Sequence, residues 1–260
     1  MATPAALRAT EYFARAYRRT WRGSIVSTFL NPVLYLAAMG VGLGSFVNHG
    51  GHASATLGHV SYLQFVAPAL MATTAMQTAA SEATFPVMAA IKWRRTYEAM
   101  LATPLQVRDV VVGHLAWISI RILMSVAVYL AVVAAFGAIA SPVAILAILG
   151  GLLTGLAFAG PLVAFAATQE NETLFILVFR LGLIPLFLFS GTFFPISQLP
   201  VGLRALAYAT PLWHGVDLCR TLALGTATVQ RTLLHFVYLT LVAAAGAWGA
   251  SVTYRRRLRR

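Results

Sequence analysis

Few residues in this chain could do chemistry. Among 260 residues there are seven acidic side chains, six histidines, one cysteine and 19 basic side chains. Lys92 is the only lysine, and Trp93 follows it. A phosphate-cradling G-x-x-x-x-G-K-[ST] loop therefore cannot be built, and any nucleotide hydrolysis must come from another polypeptide. The lone Cys219 excludes a disulfide framework and a cysteine-rich metal site. His49, His52 and His59 stand close together, but glycines and a serine surround them and no carboxylate or cysteine is near. A solvated loop explains them better than a metal site. His214, Asp217 and Arg220 fall at i, i+3 and i+6 of one helix. Asp217 is the only acidic residue expected on the outer side, no Ser-His-Asp set is readable, and the three read as a structural hydrogen-bond and ion-pair cluster. His114 and His235 lie near the ends of apolar runs, where an interfacial position explains them. The sequence thus predicts neither a catalytic set nor a metal site.

The elements that hold these residues are apolar runs. The chain is 59% hydrophobic and 10% charged, with a mean hydropathy of +0.78. An ordinary soluble domain is about 25% charged. Roughly 18 or more apolar residues can cross about 30 Å of hydrocarbon as a helix. Six windows qualify, at 25–46, 61–85, 109–136, 143–167, 174–192 and 231–254. The fifth is the shortest and contains Pro185. The first follows an arginine-rich stretch with no small-residue cleavage site, so it reads as a permanent span. The expected fold is an all-α membrane protein with six transmembrane helices. Its parts are a cytoplasmic tail (1–24), one membrane domain (25–254) and a basic tail (255–260).

The net charge of +12 could suggest nucleic acid, but its distribution says otherwise. Arg8, Arg15, Arg18, Arg19 and Arg22 precede the first window. Lys92, Arg94, Arg95 and Arg108 lie between the second and third. Arg255, Arg256, Arg257, Arg259 and Arg260 follow the last. Connections 47–60 and 137–142 hold no basic residue. The positive-inside rule places both termini and 86–108 in the cytoplasm of a multi-pass protein of the cytoplasmic membrane. The acidic 168–173 connection and Arg204 and Arg220 in the external 193–230 segment fit that rule less well. Arginines at helix ends against anionic membrane lipids account for the charge without nucleic acid.

Three segments are amphipathic rather than spanning. Over 7–22, Phe13, Tyr17 and Trp21 recur every four residues, opposite Arg8, Glu11, Arg15, Arg18 and Arg22. Glu11 and Arg15 can pair at i, i+4. Over 91–104, a cytoplasmic helix is expected, with Trp93, Tyr97 and Leu101 as one stripe and Lys92, Arg95 and Glu98 as a charged side. Thr103-Pro104-Leu105-Gln106 has the form of a capping box. Over 193–222, Leu199, Leu203 and Leu206 line one helical face, and Thr210 followed by Pro211 starts a second helix. Two short apolar helices between spans suggest a re-entrant or interfacial external hairpin.

Ionisable groups inside spans are functional candidates by default. Here they are Glu82, Arg121 and Arg180, with Glu170 and Glu172 at an inner mouth. An arginine among them could pair with a carboxylate between helices, or could line an aqueous cavity.

Taken together, the segments Trp93-Arg94-Arg95-Thr96-Tyr97-Glu98-Ala99-Met100-Leu101-Ala102-Thr103-Pro104-Leu105, Ser190–Pro195 and Pro211–Asp217 resemble the membrane subunits of ABC exporters. The resemblance is to the ABC type-2 permeases of the NodJ-like, lipooligosaccharide and drug-export kind, and it covers nearly the whole chain. It implies that 7–22 is an interface helix, with Arg15, Arg18, Arg19 and Arg22 on it. It implies that 91–104 is a coupling helix that docks on an ATPase, with Lys92, Arg94, Arg95, Tyr97 and Glu98 as coupling residues. It also implies that 193–222 is an extracellular hairpin carrying Pro195, Pro211, His214, Asp217 and Arg220. The implied partners are two copies of a separate ATPase, which binds ATP and Mg, and a second permease subunit in a homodimer or heterodimer. No cofactor is expected in this chain itself. An integral membrane enzyme acting on lipids, or an ATP-independent secondary transporter, stand as alternatives.

Overall fold

The structure, a computed structural model, describes residues 5–44 and 60–258. His49, His52, His59, Arg259 and Arg260 lie outside the described residues. The described chain is helical, with no strand among these residues. Helix α1 is Ala5–Tyr17 and α2 is Trp21–Leu36, which continues as a π-helical Ala37–Leu43. Helix α3 is Tyr62–Ala83, followed by α4, Phe85–Met88, and a π-helical Ala89–Trp93. Helix α5 is Thr96–Leu101, α6 is Val107–Ala135 and α7 is Ala147–Ala166, the last led in by a 3-10 turn over Pro142–Leu146. Helix α8, Thr173–Leu177, runs through a π-helical Val178–Leu183 into α9, Ile184–Phe189. Helices α10, Val201–Tyr208, α11, Pro211–Leu224, and α12, Val229–Leu258, complete the fold.

Among the described residues, four helices are long and apolar enough to cross a membrane: Trp21–Gly40, Val107–Ala135, Pro142–Ala166 and Val229–Leu258. The chain is an integral membrane protein on this ground. The other two sequence windows differ for separate reasons. Helix α3 has the length, at 22 residues, but it carries Gln64, Thr73, Thr74, Gln77, Thr78, Ser81 and Glu82. Many of its residues are buried inside the protein, so it need not be compatible with lipid. Thr173–Phe189 is shorter, and Pro185 and the π-helical stretch interrupt it.

Small residues allow the tightest helix contacts. A Cβ on Gly160 of α7 would lie 2.7 Å from the Gly246 carbonyl carbon of α12. Only glycine at both positions lets the two backbones touch. Likewise, a Cβ on Gly113 of α6 would lie 2.5 Å from Ala9 Cβ and 2.7 Å from the Ala6 carbonyl oxygen of α1. Thr10 Oγ1 donates to the Gly113 carbonyl at 3.1 Å in the same place. Helix α1 is thus tied to α6 by a close backbone approach.

Several expected boundaries shift. The 7–22 helix ends at Tyr17, where Thr20 N donates to the Tyr17 carbonyl at 2.9 Å and tightens the last turn. Arg18 and Arg19 sit in that turn, and Trp21 and Arg22 begin α2. Glu11 and Arg15 do pair, at 2.6 Å. The 91–104 segment is not one helix. Arg95 takes a left-handed conformation, φ 47° and ψ 32°, which breaks it. Trp93 is consequently 63% exposed while Tyr97 is wholly buried, so the expected stripe does not form. The helix start expected at Thr103 falls at Gln106 instead. Asp109 Oδ2 accepts from Gln106 N at 2.9 Å, whereas Thr103 Oγ1 turns back to the Met100 carbonyl. Leu199 precedes α10 and is buried, whereas Leu203 and Leu206 are exposed, so these three do not share one face.

Candidate functional site

The expected coupling residues are arranged around α5. Thr96, Tyr97 and Met100 turn inward, while Arg94, Arg95, Glu98 and Ala99 face outward. The Tyr97 hydroxyl lies 2.6 Å from His114 Nδ1 of α6, and the Tyr254 hydroxyl of α12 donates to it at 3.2 Å. Burial pushes the Tyr97 phenol well above its ordinary range. It therefore stays protonated and can donate to His114. Phe13 of α1 stacks on the other side of His114, with ring centroids 4.5 Å apart. Four elements, α1, α5, α6 and α12, meet at this point.

Around that anchor the surface is charged. Arg95 Nε and Glu98 Oε2 lie 3.9 Å apart, both exposed. Arg94 is exposed and joins no carboxylate among the described residues. The left-handed Arg95 is unusual for a non-glycine residue and sets the angle at which α5 leaves the preceding helix. Lys92 turns the other way. Its ammonium lies 2.9 Å from Glu170 Oε2 and also donates to the Glu170 carbonyl. Arg257 of α12 bonds the same carboxylate. Hydrogen bonds from Arg257 and Lys92 hold Glu170 down to about 2. Glu170, in the acidic 168–173 connection, is thus clasped between two cations. Lys92 is exposed and at the same time paired within the chain.

A second ionic element lies at mid-height of α6. Arg121 Nε donates to Glu82 Oε1 at 2.8 Å, with the two side chains 13% and 20% exposed. The Arg121 guanidinium also sits 4.3 Å from the Tyr17 ring centroid. Of the pairings the sequence left open, this one forms. No ion pair joins Arg180 or Glu172 among the described residues.

At the opposite end, α11 is held between α3, α7 and α12. Thr210 caps it, with Trp213 N donating to Thr210 Oγ1 at 3.4 Å and Pro211 in its first turn. Pro195 leads into a 3-10 turn over Ile196–Gln198. The expected His214–Asp217–Arg220 cluster divides in two. His235 of α12 takes Arg220's place, with Nε2 2.9 Å from Asp217 Oδ2 and Nδ1 2.8 Å from His214 Nδ1. A carboxylate can only accept, so His235 donates from Nε2. Arg220 instead crosses to α3, donating to the Phe65 carbonyl at 2.9 Å and to the Gly191 carbonyl at 2.7 Å. Its guanidinium lies 3.7 Å from the Phe65 ring centroid. Both histidines are buried, so this cluster is a fastening between α11 and α12.

Sequence reasoning missed His114 and His235. Each is bonded to a residue on another element, Tyr97 and Asp217, so interfacial placement does not account for them. Their only signal was being polar inside apolar runs. Among the described residues no group of three or more histidine, cysteine or acidic side chains is arranged so that it could hold a metal ion.

The family profile described as ABC-2 type transporter matches residues 10–224. The chain belongs to the ABC-2 type transporter family, as a membrane subunit that works with an ATPase subunit. Nodulation protein J of Rhizobium leguminosarum bv. viciae is 32% identical over 246 residues, which cover 94% of this chain and 92% of the relative. Nodulation protein J of Rhizobium meliloti (strain 1021) is 31% identical, covering 94% of this chain and 90% of the relative. That of Sinorhizobium fredii (strain NBRC 101917 / NGR234) is 32% identical over 79% of this chain and 76% of the relative. No solved structure matches the chain significantly.

Proposed function

We propose that this chain is the permease subunit of an ATP-driven exporter that moves an amphipathic substrate outward across the cytoplasmic membrane. The observation that carries this reading is the arrangement at α5: an exposed Arg94, Arg95 and Glu98 around a Tyr97 anchored to α6 and α12. A force applied to such a surface passes directly into two long helices. The Lys92–Glu170–Arg257 clasp adds a second tie between the same region and α12.

In this reading the chain has six spans with α3 and Thr173–Phe189 among them, and both termini are cytoplasmic. Residues 193–222 form a re-entrant external hairpin, with exposed α10 and buried α11 as its two arms. Each of two ATPase copies binds ATP and Mg and docks at Arg94, Arg95 and Glu98, and the basic α1 lies along the headgroups beside it. A second permease subunit completes the pathway. ATP-driven closure of the ATPases moves α5, the two permeases shift, and the substrate passes between them. The ABC-2 type transporter profile over residues 10–224 supports a transport role.

The reading is tested by co-purifying the chain with its ATPase and assaying ATP-dependent transport in lipid vesicles. A stable complex with ATP-dependent transport is expected. Transport by the chain alone without ATP would place it with the secondary transporters instead.

A further inference from the structure

His214 of α11 and His235 of α12 meet ring nitrogen to ring nitrogen, 2.8 Å apart at their Nδ1 atoms. Such a contact holds one proton: an N–H on one ring faces a lone pair on the other. His235 also donates from Nε2 to Asp217. Two states satisfy both bonds. Either both rings are neutral and His214 donates to His235, or a single imidazolium is shared and the Asp217 carboxylate balances it. A second imidazolium breaks the contact. Two N–H groups then oppose each other, and two cations stand against one carboxylate.

The surroundings supply no further counter-charge. Arg220 of α11 and Arg231 of α12 already act on Asp217, so its charge is shared before a second imidazolium forms. Helix α3 brings Tyr62 and also Glu82, which Arg121 takes up. Helix α7 and the turn Pro142–Leu146 carry no titratable side chain. From α10 come Tyr208 and Arg204, the latter bonded to the Ser197 and Leu199 carbonyls. Both rings are buried, yet the Asp217 side chain is 21% exposed and gives a proton a way in. Burial, and then the charge of His235, push His214 down from its ordinary 6.5 to about 4. A base held below its ordinary value stabilises the folded arrangement above that ordinary value. The contribution is lost as pH falls from 6.5 toward the folded value. A second tie does not titrate in this range: the Tyr238 hydroxyl donates to the Ala209 carbonyl at 2.6 Å.

Building on the reading that places the 193–222 hairpin outside, we propose that the His214–His235 contact is an acid-released lock between α11 and α12. Acidification of the outer face frees α11 from α12, while Tyr238 keeps the hairpin tethered at Ala209. The complex of this chain with its ATPase is placed in phosphatidylcholine nanodiscs. Hydrogen exchange is followed by mass spectrometry at pH about 7 and about 5, with exchange times scaled to the intrinsic rate at each pH. Peptides covering 211–220 and 231–238 should lose protection about tenfold or more at the lower pH. The loss should reverse on return to the higher pH, and peptides of α7 should not share it. His214→Gln should abolish the pH dependence. An amide can donate or accept, so it meets His235 in either state of that ring and adds no titration. Asp217→Asn should enlarge the loss, because the shared imidazolium then has no carboxylate to balance it. Equal protection of the parent at both pH values, or a parent-like pH dependence in His214→Gln, would overturn the proposal. ATP-dependent transport is scored on the same complex in vesicles. Transport without a pH-dependent change in exchange removes only the lock, whereas failure to bind the ATPase removes the transport reading.

Discussion

Tyr97 and His114 share a hydrogen bond of 2.6 Å, both fully enclosed, and this joins the exposed α5 to the apolar α6. Because the Tyr254 hydroxyl also donates to Tyr97, one phenol oxygen serves two helices. Tyr97→Phe keeps the ring but strands both partners. The expected cost is about 1–3 kcal/mol, read as a lower melting temperature in detergent. If α5 transmits force through this bond, the ratio of transport to ATP hydrolysis should fall as well. A variant that melts and transports like the parent would show the bond to be idle.

The Lys92–Glu170–Arg257 clasp should hold over most of the acidic range. A carboxylate whose folded value lies below its ordinary one contributes stability above that ordinary value and loses it as pH falls through the folded value. For Glu170 the window runs from its ordinary 4.5 down to about 2. Infrared titration of the Glu170 carboxylate, assigned by its loss in Glu170→Gln, should therefore show the group still ionised at pH about 3.5. Protonation already complete at that pH would mean that the clasp is weaker than its geometry implies.

Breaking the Arg121–Glu82 pair from one side leaves an uncompensated charge among buried residues. Glu82→Leu alone should destabilise by about 3–5 kcal/mol. The double variant Glu82→Leu with Arg121→Leu should recover much of that loss. The comparison of melting temperatures is decisive: equal effects of single and double replacement would show that the two groups are not coupled.

Gly160 and Gly246 let α7 and α12 touch along their backbones. Gly160→Val should cost about 1–3 kcal/mol or more through overpacking. The sign is checked by size-exclusion profiles and melting in the same detergent, and an unchanged profile would contradict the close approach.

These residues also show where sequence reading reaches and where it stops. The apolar runs, the Glu11–Arg15 pair and the start of a helix at Thr210-Pro211 depend on spacing within a few residues, and each was legible. The Glu82–Arg121 pair was open as one of several pairings, because 39 residues separate the two and only packing selects the partner. His114 and His235 were illegible as network members, since their partners come from other elements. The split of the 91–104 helix was hidden for a different reason. Nothing in the side chain of Arg95 announces a left-handed backbone, which glycine or asparagine would have signalled. The same break explains why Trp93 and Tyr97, four residues apart, face different surroundings.

The central claim is that Arg94, Arg95 and Glu98 carry force from an ATPase into this chain. It is tested by replacing all three with alanine and measuring ATP hydrolysis and transport together in reconstituted vesicles. The account predicts a protein that still folds and inserts, with transport lost or sharply reduced per ATP hydrolysed. Transport and ATPase activity both equal to the parent's would contradict it.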